Sequence, residues 1–183
     1  MAKLITISSE EFKLTESDKK YEYQPDLTKN LDTYSGDYNA DIINEIVLWK
    51  LNRFPALKED TIKLVNEISR SKRKIDVKQS EKVLSALLTS DGINLPMAST
   101  ILRFKNPNIY QIVDRRVYRI LMGNKLYVND NSTPLKIQNN INKYLTYLID
   151  LKVFCEAKDI PFMDSDRILY MADKRLNGDI PIN

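Results

Sequence analysis

The stretch Asp91-Gly92-Ile93-Asn94-Leu95-Pro96-Met97-Ala98-Ser99 decides the fold of this chain. It separates two apolar segments of helical spacing. Gly92 and Asn94 are residue types that tolerate the left-handed backbone of a tight turn. Pro96 suits the first turn of the helix that follows, and the small side chains after it let two helices approach closely. The stretch therefore predicts a helical hairpin, with its motif at about 84–104.

Apolar residues recur with helical spacing on both sides of this hairpin, and the chain has only four glycines. The pattern predicts an all-α protein with helices at about 41–53, 57–70, 77–89, 96–104, 114–122, 133–157 and 164–177. Expected buried positions include Ile42, Ile43, Ile46, Val47, Ile62, Val83, Leu84, Leu87, Leu88, Ala98, Ile101, Leu102, Ile168, Leu169 and Met171. Residues 1–40 are polar and predict an irregular arm with a short helix near Ser9–Phe12, so 41–183 form the helical domain.

Composition excludes several kinds of chemistry. The 183 residues include no histidine, which removes imidazole acid–base catalysis and His-ligated zinc. The single cysteine, Cys155, allows no internal disulfide and is expected in the core. A net charge of +3 is compatible with a nucleic-acid partner without requiring one. No signal peptide or membrane span is apparent, so a cytoplasmic monomer with no membrane partner is expected.

The hairpin and the segment Val113-Asp114-Arg115-Arg116 carry the candidate chemistry. A turn that leads into a helix exposes backbone N–H groups beside the positive end of that helix, and such a nest binds phosphate. Asp114 places a carboxylate at the start of the next predicted helix. A helix N-cap requires the same residue type at the same place, so this position has both a structural and a catalytic interpretation. Arg115, Arg116 and Arg119 are expected to divide between phosphate contacts and ion pairs with acidic neighbours.

The motifs Gly92-Ile93-Asn94, Ala98, Ile101-Leu102 and Val113-Asp114-Arg115-Arg116 together resemble the helix–hairpin–helix (HhH-GPD) DNA glycosylase superfamily, which includes endonuclease III. Asp114 lies 18 residues after Pro96, the spacing seen in endonuclease III between its catalytic lysine and aspartate. Pro96 occupies the lysine position, so the resemblance implies no Schiff-base lyase activity from there. Asn94 replaces the second glycine of the hairpin. The resemblance implies a two-lobed helical fold whose N- and C-terminal helices form the second lobe.

The resemblance also implies site residues and a partner. It makes Asp114 the catalytic carboxylate, with Glu45 a second candidate because adenine glycosylases carry a glutamate on the corresponding early helix. Gly92, Ile93, Asn94, Arg115 and Arg116 are the implied DNA-binding residues. Trp49 and Lys50 are candidates for the base pocket. Tyr110, Tyr118 and Tyr127 are further candidates for stacking on a flipped base, although tyrosines in these positions more often belong to a core. The implied partner is double-stranded DNA containing a modified base, with no metal or cofactor.

Two alternatives remain open at this stage. Helix–hairpin–helix units also serve as DNA-binding modules without catalysis, which predicts binding without base release. A helical interaction protein with no nucleic-acid role predicts no salt-dependent affinity for DNA.

Overall fold

All regular structure is helical in the part of the chain that a computed structural model describes, residues 24–51, 55 and 57–182. These residues form eight α-helices and one short 3-10 helix, and contain no strand. The all-α prediction is therefore confirmed, whereas the two-lobed glycosylase arrangement remains a prediction. Within the described residues, no helix combines the length and the apolar character needed to cross a bilayer.

The helices belong to two compact units, Met1–Phe54 and Pro55–Asn183. The first unit contains α1 and α2, and the second contains α3 to α8. Their bounds are α1 Pro25–Thr33, α2 Ala40–Lys50, α3 Glu59–Asn66, α4 Val77–Leu88, α5 Leu95–Lys105, α6 Arg115–Met122, α7 Pro134–Lys158 and α8 Ser165–Leu176. The boundary between the units lies later in the chain than the sequence-based boundary after residue 40.

In the first unit, α1 packs against α2 and buries Leu27 and Ile42. The prediction of an irregular arm is wrong for Pro25–Thr33, because Pro25 fits the first helical turn and Leu27 supplies a buried contact in an otherwise polar segment. The predicted burial of Ile43 and Val47 is also wrong, since both side chains are about half exposed. The helix expected near Ser9–Phe12 lies outside the described residues.

The core of the second unit is built mainly from α4, α5 and α7. Leu84, Leu87 and Leu88 of α4, Ala98 and Leu102 of α5, and Tyr144, Tyr147, Leu148 and Leu151 of α7 are fully buried. The predicted α4 face is confirmed, and Cys155 is buried in the core as expected. On α5, Ala98 and Leu102 are buried as predicted, whereas Ile101 is only partly buried against the core. Ile93 of the hairpin between α4 and α5 and Val113 and Val117 beside the start of α6 belong to this same core.

The predicted buried faces of two helices in this unit, α3 and α8, are wrong. Helix α3 is shorter than the predicted 57–70, and Ile62 is exposed. On α8, Ile168 and Met171 are exposed, while Asp166, Leu169 and Asp173 are buried. Arginines from neighbouring helices pair with the two buried carboxylates. These ion pairs make the inward face of α8 partly polar, which hydrophobic periodicity does not detect.

Candidate functional site

The hairpin joins α4 to α5 through residues 89–94. Gly92 has φ 80°, in the left-handed region that favours glycine, and the Ile93 side chain is buried. Asn94 does not adopt a left-handed backbone: with φ −101° and ψ 175° it is the N-cap of α5. Its Oδ1 accepts a hydrogen bond from the Met97 amide at 3.0 Å. The turn therefore needs one glycine, and the second glycine position of the family pattern is used here as a helix cap.

The outer side of the hairpin presents backbone donors. Gly92 and Asn94 are exposed, and none of the hydrogen bonds among the described residues uses their backbone N–H groups. Pro96 has no N–H, and the Met97 amide is satisfied by the cap. An anion approaching this turn would find two available amides beside the N-terminus of α5, the arrangement that binds phosphate.

A second group of residues supports the hairpin from behind. Asn131 Nδ2 donates to the Ile93 carbonyl at 3.0 Å, and Asn140 Nδ2 donates to Asn131 Oδ1 at 3.1 Å. Asn140 lies fully buried on α7 and also exchanges two hydrogen bonds with the backbone of Asn129. The sequence did not predict this support. The sequence feature that could have predicted it is Asn140, a polar residue in the apolar stripe between Ile137 and Tyr144, where a buried polar side chain needs hydrogen-bond partners.

Asp114 is the N-cap of α6. Its Oδ1 accepts a hydrogen bond from the Val117 amide at 2.8 Å, and the residue is partly buried. Burial raises the pKa of the Asp114 carboxyl above its ordinary value. Hydrogen bonds from the Val117 and Arg116 amides oppose this rise, and the negative charge of Asp166 adds to it. The position predicted for a catalytic acid therefore holds a carboxyl group that caps a helix and has a perturbed pKa.

One hydroxyl group connects Asp114 to the hairpin helix. Ser99 Oγ accepts a hydrogen bond from the Val113 amide at 3.1 Å and donates to the Pro96 carbonyl at 2.7 Å. Pro96 lies in the first turn of α5, directly after the hairpin. The backbone before Asp114 is also held from α7, because Tyr144 and Tyr147 donate to the carbonyls of Gln111 and Ile112 at 2.9 and 2.8 Å.

The three arginines after Asp114 have different environments. Arg119 forms a two-pronged ion pair with the fully buried Asp173, with Nε to Oδ1 at 2.6 Å and Nη2 to Oδ2 at 2.8 Å. Arg116 Nη1 donates to the same carboxylate at 3.0 Å. The hydrogen bond from Arg119 is the main reason that the pKa of Asp173 is lowered to about 2. Arg115 is exposed and forms no ion pair within the described residues, so its charge is available to a ligand.

Arg115 borders a cavity of about 340 Å³ along α6. Lys125 and Tyr127 from the following loop also line it, and Ile180 to Ile182 close one side. Arg119 Nη1 donates to the Ile180 carbonyl at 2.9 Å and so attaches this C-terminal segment to α6. The cavity combines positive charge with an exposed aromatic ring, since Tyr127 is 73% exposed. Tyr110 and Tyr118, by contrast, are buried in the core.

A buried pair of opposite charges lies near Asp114. Asp166 at the start of α8 faces Arg103 of α5, with Oδ2 and Nε 3.7 Å apart. Neither of these two atoms has a hydrogen-bond partner within the described residues, although Arg103 Nη2 donates to the Met163 carbonyl at 3.0 Å. The sequence suggested no role for this pair. Its effect on the candidate site is electrostatic, because the Asp166 charge favours the protonated form of Asp114.

The remaining predicted site residues lie on α2, in the other compact unit. Trp49 is half-buried, and its Nε1 donates to Thr28 Oγ1 at 2.8 Å. Glu45 is half-buried and Lys50 is exposed. Their roles in catalysis and base binding remain predictions, as do those of Arg115 and Arg116 in DNA binding. No group of three or more Asp, Glu or Cys side chains in the described part of the chain is arranged to hold a metal ion.

No protein-family model, curated protein or solved structure matches this chain.

Proposed function

We propose that this protein is a DNA glycosylase that hydrolyses the N-glycosidic bond of a modified or mismatched base flipped out of the duplex. The observation that carries the proposal is the hydroxyl bridge through Ser99. It connects the helix that begins at the anion-binding turn with the residue before Asp114. DNA held at the turn and an acid held at a fixed place relative to that turn are the two requirements of this reaction. The resemblance of the two motifs to the helix–hairpin–helix glycosylases supports the same assignment.

The turn would hold DNA through its phosphates. The free amides of Gly92 and Asn94 suit one phosphate group, and the buried Ile93 keeps the turn in place. Arg115 and Lys125 add exposed positive charge along α6. Arg116 would have to share its guanidinium between DNA and Asp173, because it already donates to that carboxylate.

Hydrolysis of the N-glycosidic bond then requires one catalytic carboxylate. The target nucleotide must leave the stack, because its glycosidic bond is inaccessible inside the duplex. As the C1′–N bond breaks, the base leaves with the bonding electron pair and positive charge develops on the sugar. An ionised Asp114 stabilises that charge and accepts a proton from the water whose oxygen bonds to C1′. Glu45 remains a second candidate acid, and Pro96 offers no amine for a covalent lyase step.

A DNA-binding module without catalysis is the second candidate function. One observation favours it: Asp114 Oδ1 already accepts a hydrogen bond from the Val117 amide. Helix capping alone would therefore explain an aspartate at this position. The two candidates share the turn and the basic surface. They differ only in whether the carboxylate acts on a sugar.

Base release separates these candidates. Duplexes containing uracil, 8-oxoguanine, alkylated bases or mismatches are incubated with the protein, and abasic sites are then cleaved with alkali. The glycosylase proposal expects release of at least one base, its loss in Asp114→Asn, and unchanged DNA binding. Asp76→Asn is the matched control, because Asp76 caps α4 through the same type of hydrogen bond, to the Gln79 amide at 3.1 Å. Binding without release of any base supports the module.

A further inference from the structure

A groove of about 210 Å³ lies within the compact unit formed by α1 and α2. Among the described residues, three aromatic side chains line it: Tyr34, Tyr38 and Trp49. Leu31, Ile42 and Ile46 add aliphatic surface, and Asp32 is the charged residue in the described part of the lining. The groove is smaller than the pockets that enclose a drug-sized ligand, which are roughly 300–1,000 Å³. Its size suits a small group or the end of a side chain.

Hydrogen bonds hold the aromatic rings in place. Trp49 Nε1 donates to Thr28 Oγ1 at 2.8 Å, which ties the indole on α2 to α1. Tyr34 donates its hydroxyl to the Asp37 carbonyl at 2.8 Å. The rings of Tyr34 and Tyr38 have centroids 5.9 Å apart and planes inclined by 58°, so they pack against each other at an angle. Tyr38 is 67% exposed and therefore accessible to a ligand.

The charge around this groove opposes a phosphate ligand. The compact unit that contains it, Met1–Phe54, carries ten acidic and seven basic residues, a net charge of −3. Asp32 adds a negative charge to the groove itself. Aromatic faces carry negative electrostatic potential and attract cations, most strongly where a carboxylate is nearby. The Asp32 carboxylate and the negative charge of the unit therefore favour a positively charged group over a phosphate.

We propose that this groove binds an alkylated ammonium group, either on a free quaternary amine or on a methylated lysine side chain. The methyl groups contact the ring faces of Tyr34, Tyr38 and Trp49 and the aliphatic surface beside them. The positive charge lies over the rings and near the Asp32 carboxylate. Both sources present the same cation to the same aromatic side chains. Under this proposal Trp49 serves the groove in place of the base pocket suggested by the family resemblance, and the proposed roles of the turn and of Asp114 are unaffected.

Trp49 is the only tryptophan of the chain, so its fluorescence reports on this groove directly. The full-length protein is titrated with choline and with 3,3-dimethylbutan-1-ol, in which a carbon replaces the charged nitrogen. We expect a saturable change with choline and binding at least about fivefold tighter than that of the alcohol. Equal affinity for the two compounds, or no saturable change with choline or with a trimethyllysine peptide, would overturn the proposal. So would tighter binding of a nucleoside monophosphate.

Peptides carrying lysine or trimethyllysine distinguish the sources of the cation. Preference for the trimethyllysine peptide over both choline and unmodified lysine assigns the site to a protein partner, whereas preference for choline assigns it to a small molecule. Tyr38→Leu should weaken binding of the preferred cation at least about fivefold, and Tyr38→Phe should retain it. Asp32→Asn should weaken binding, and Asp26→Asn, a carboxylate outside the lining, should not. Unchanged binding in both Tyr38→Leu and Asp32→Asn would place the cation elsewhere and refute the assignment.

Discussion

Asp114 combines a structural and an electrostatic role in one side chain. It caps α6, and asparagine caps helices about as well as aspartate does. Its carboxyl is partly buried and has a raised pKa, so the folded state binds a proton there more tightly than the unfolded chain does. The stability that this preference contributes is complete below the ordinary pKa and is lost as the pH rises through the raised value. At neutral pH, burial of the ionised Asp114 carboxylate therefore lowers the free energy of unfolding.

This reasoning predicts opposite effects of two substitutions at one position. Asp114→Asn should keep the cap and remove the buried charge, so its unfolding midpoint in urea at pH 7 should equal or exceed that of the wild type. Asp114→Ala should lose about 1 kcal/mol, because the Val117 amide loses its partner. Under the proposed function, both variants lose base release, and wild-type activity falls on the acid side as Asp114 is protonated. A marked destabilisation by Asp114→Asn would contradict this account of the charge.

At the scale of elements, Ser99 joins α5 to the start of α6. Ser99→Ala leaves the buried Val113 amide without its partner, so a loss of about 1–3 kcal/mol in unfolding free energy is expected. If the proposed function holds, kcat for base release should fall while the affinity for DNA remains, because the turn itself is intact. Thr100→Val is the matched control, since Thr100 also donates to the Pro96 carbonyl, at 2.8 Å, but does not contact Val113. An equal fall in kcat for both variants would show that the hydrogen bond between Ser99 and Val113 has no specific role in base release.

Helices α6 and α8 are joined by the ion pairs of Asp173. Its pKa is lowered to about 2 from an ordinary 3.8, mainly by Arg119, so the associated stability is present above pH 3.8 and is lost as the pH falls through the lower value. Asp173→Asn should cost about 3 kcal/mol at pH 7, because it leaves two arginines without their carboxylate. Urea unfolding at several pH values should show this difference shrinking as the pH falls towards 2. Asp179→Asn, at an exposed position, should have little effect at any pH.

These elements also show what the sequence can predict. The bounds of α4, α5 and α6 agree with the expected helices to within one residue, because apolar spacing and capping residues indicate the same ends. Asp76, Asn94 and Asp114 all cap the helices that they precede. The sequence could not predict the buried carboxylates of α8, since their partners Arg103 and Arg119 come from distant segments. It also missed the Ser99 bridge, because a serine that connects two helices has no local pattern.

Across the whole chain, charge is divided unevenly between the two compact units. Met1–Phe54 contains ten acidic and seven basic residues, a net charge of −3. Pro55–Asn183 contains 15 acidic and 21 basic residues, a net charge of +6. The overall value of +3 conceals this difference, which counting by unit reveals. The acidic unit contains the aromatic groove, and the basic unit contains the turn and Asp114.

This division predicts that the second unit alone carries DNA affinity. The described core cluster and the residues packed on it come from positions 57–169, so a fragment spanning Pro55–Asn183 should fold by itself. Each phosphate contact contributes a slope of about −0.9 to log K against log salt concentration. The fragment should keep the slope of the full chain to within about one. Arg115→Ala with Lys125→Ala should reduce the slope by about two in both proteins.

The control for this measurement comes from the acidic unit. Lys19→Ala with Lys29→Ala removes the same number of positive charges from Met1–Phe54 and should leave the slope of the full chain unchanged. Fluorescence anisotropy of a labelled duplex at a series of salt concentrations gives each slope, and circular dichroism verifies that the fragment is helical. A folded fragment whose DNA affinity does not depend on salt would show that the basic unit does not hold phosphate. The assignment of the turn and of Arg115 to DNA would then fail, because counterion release accompanies any such contact.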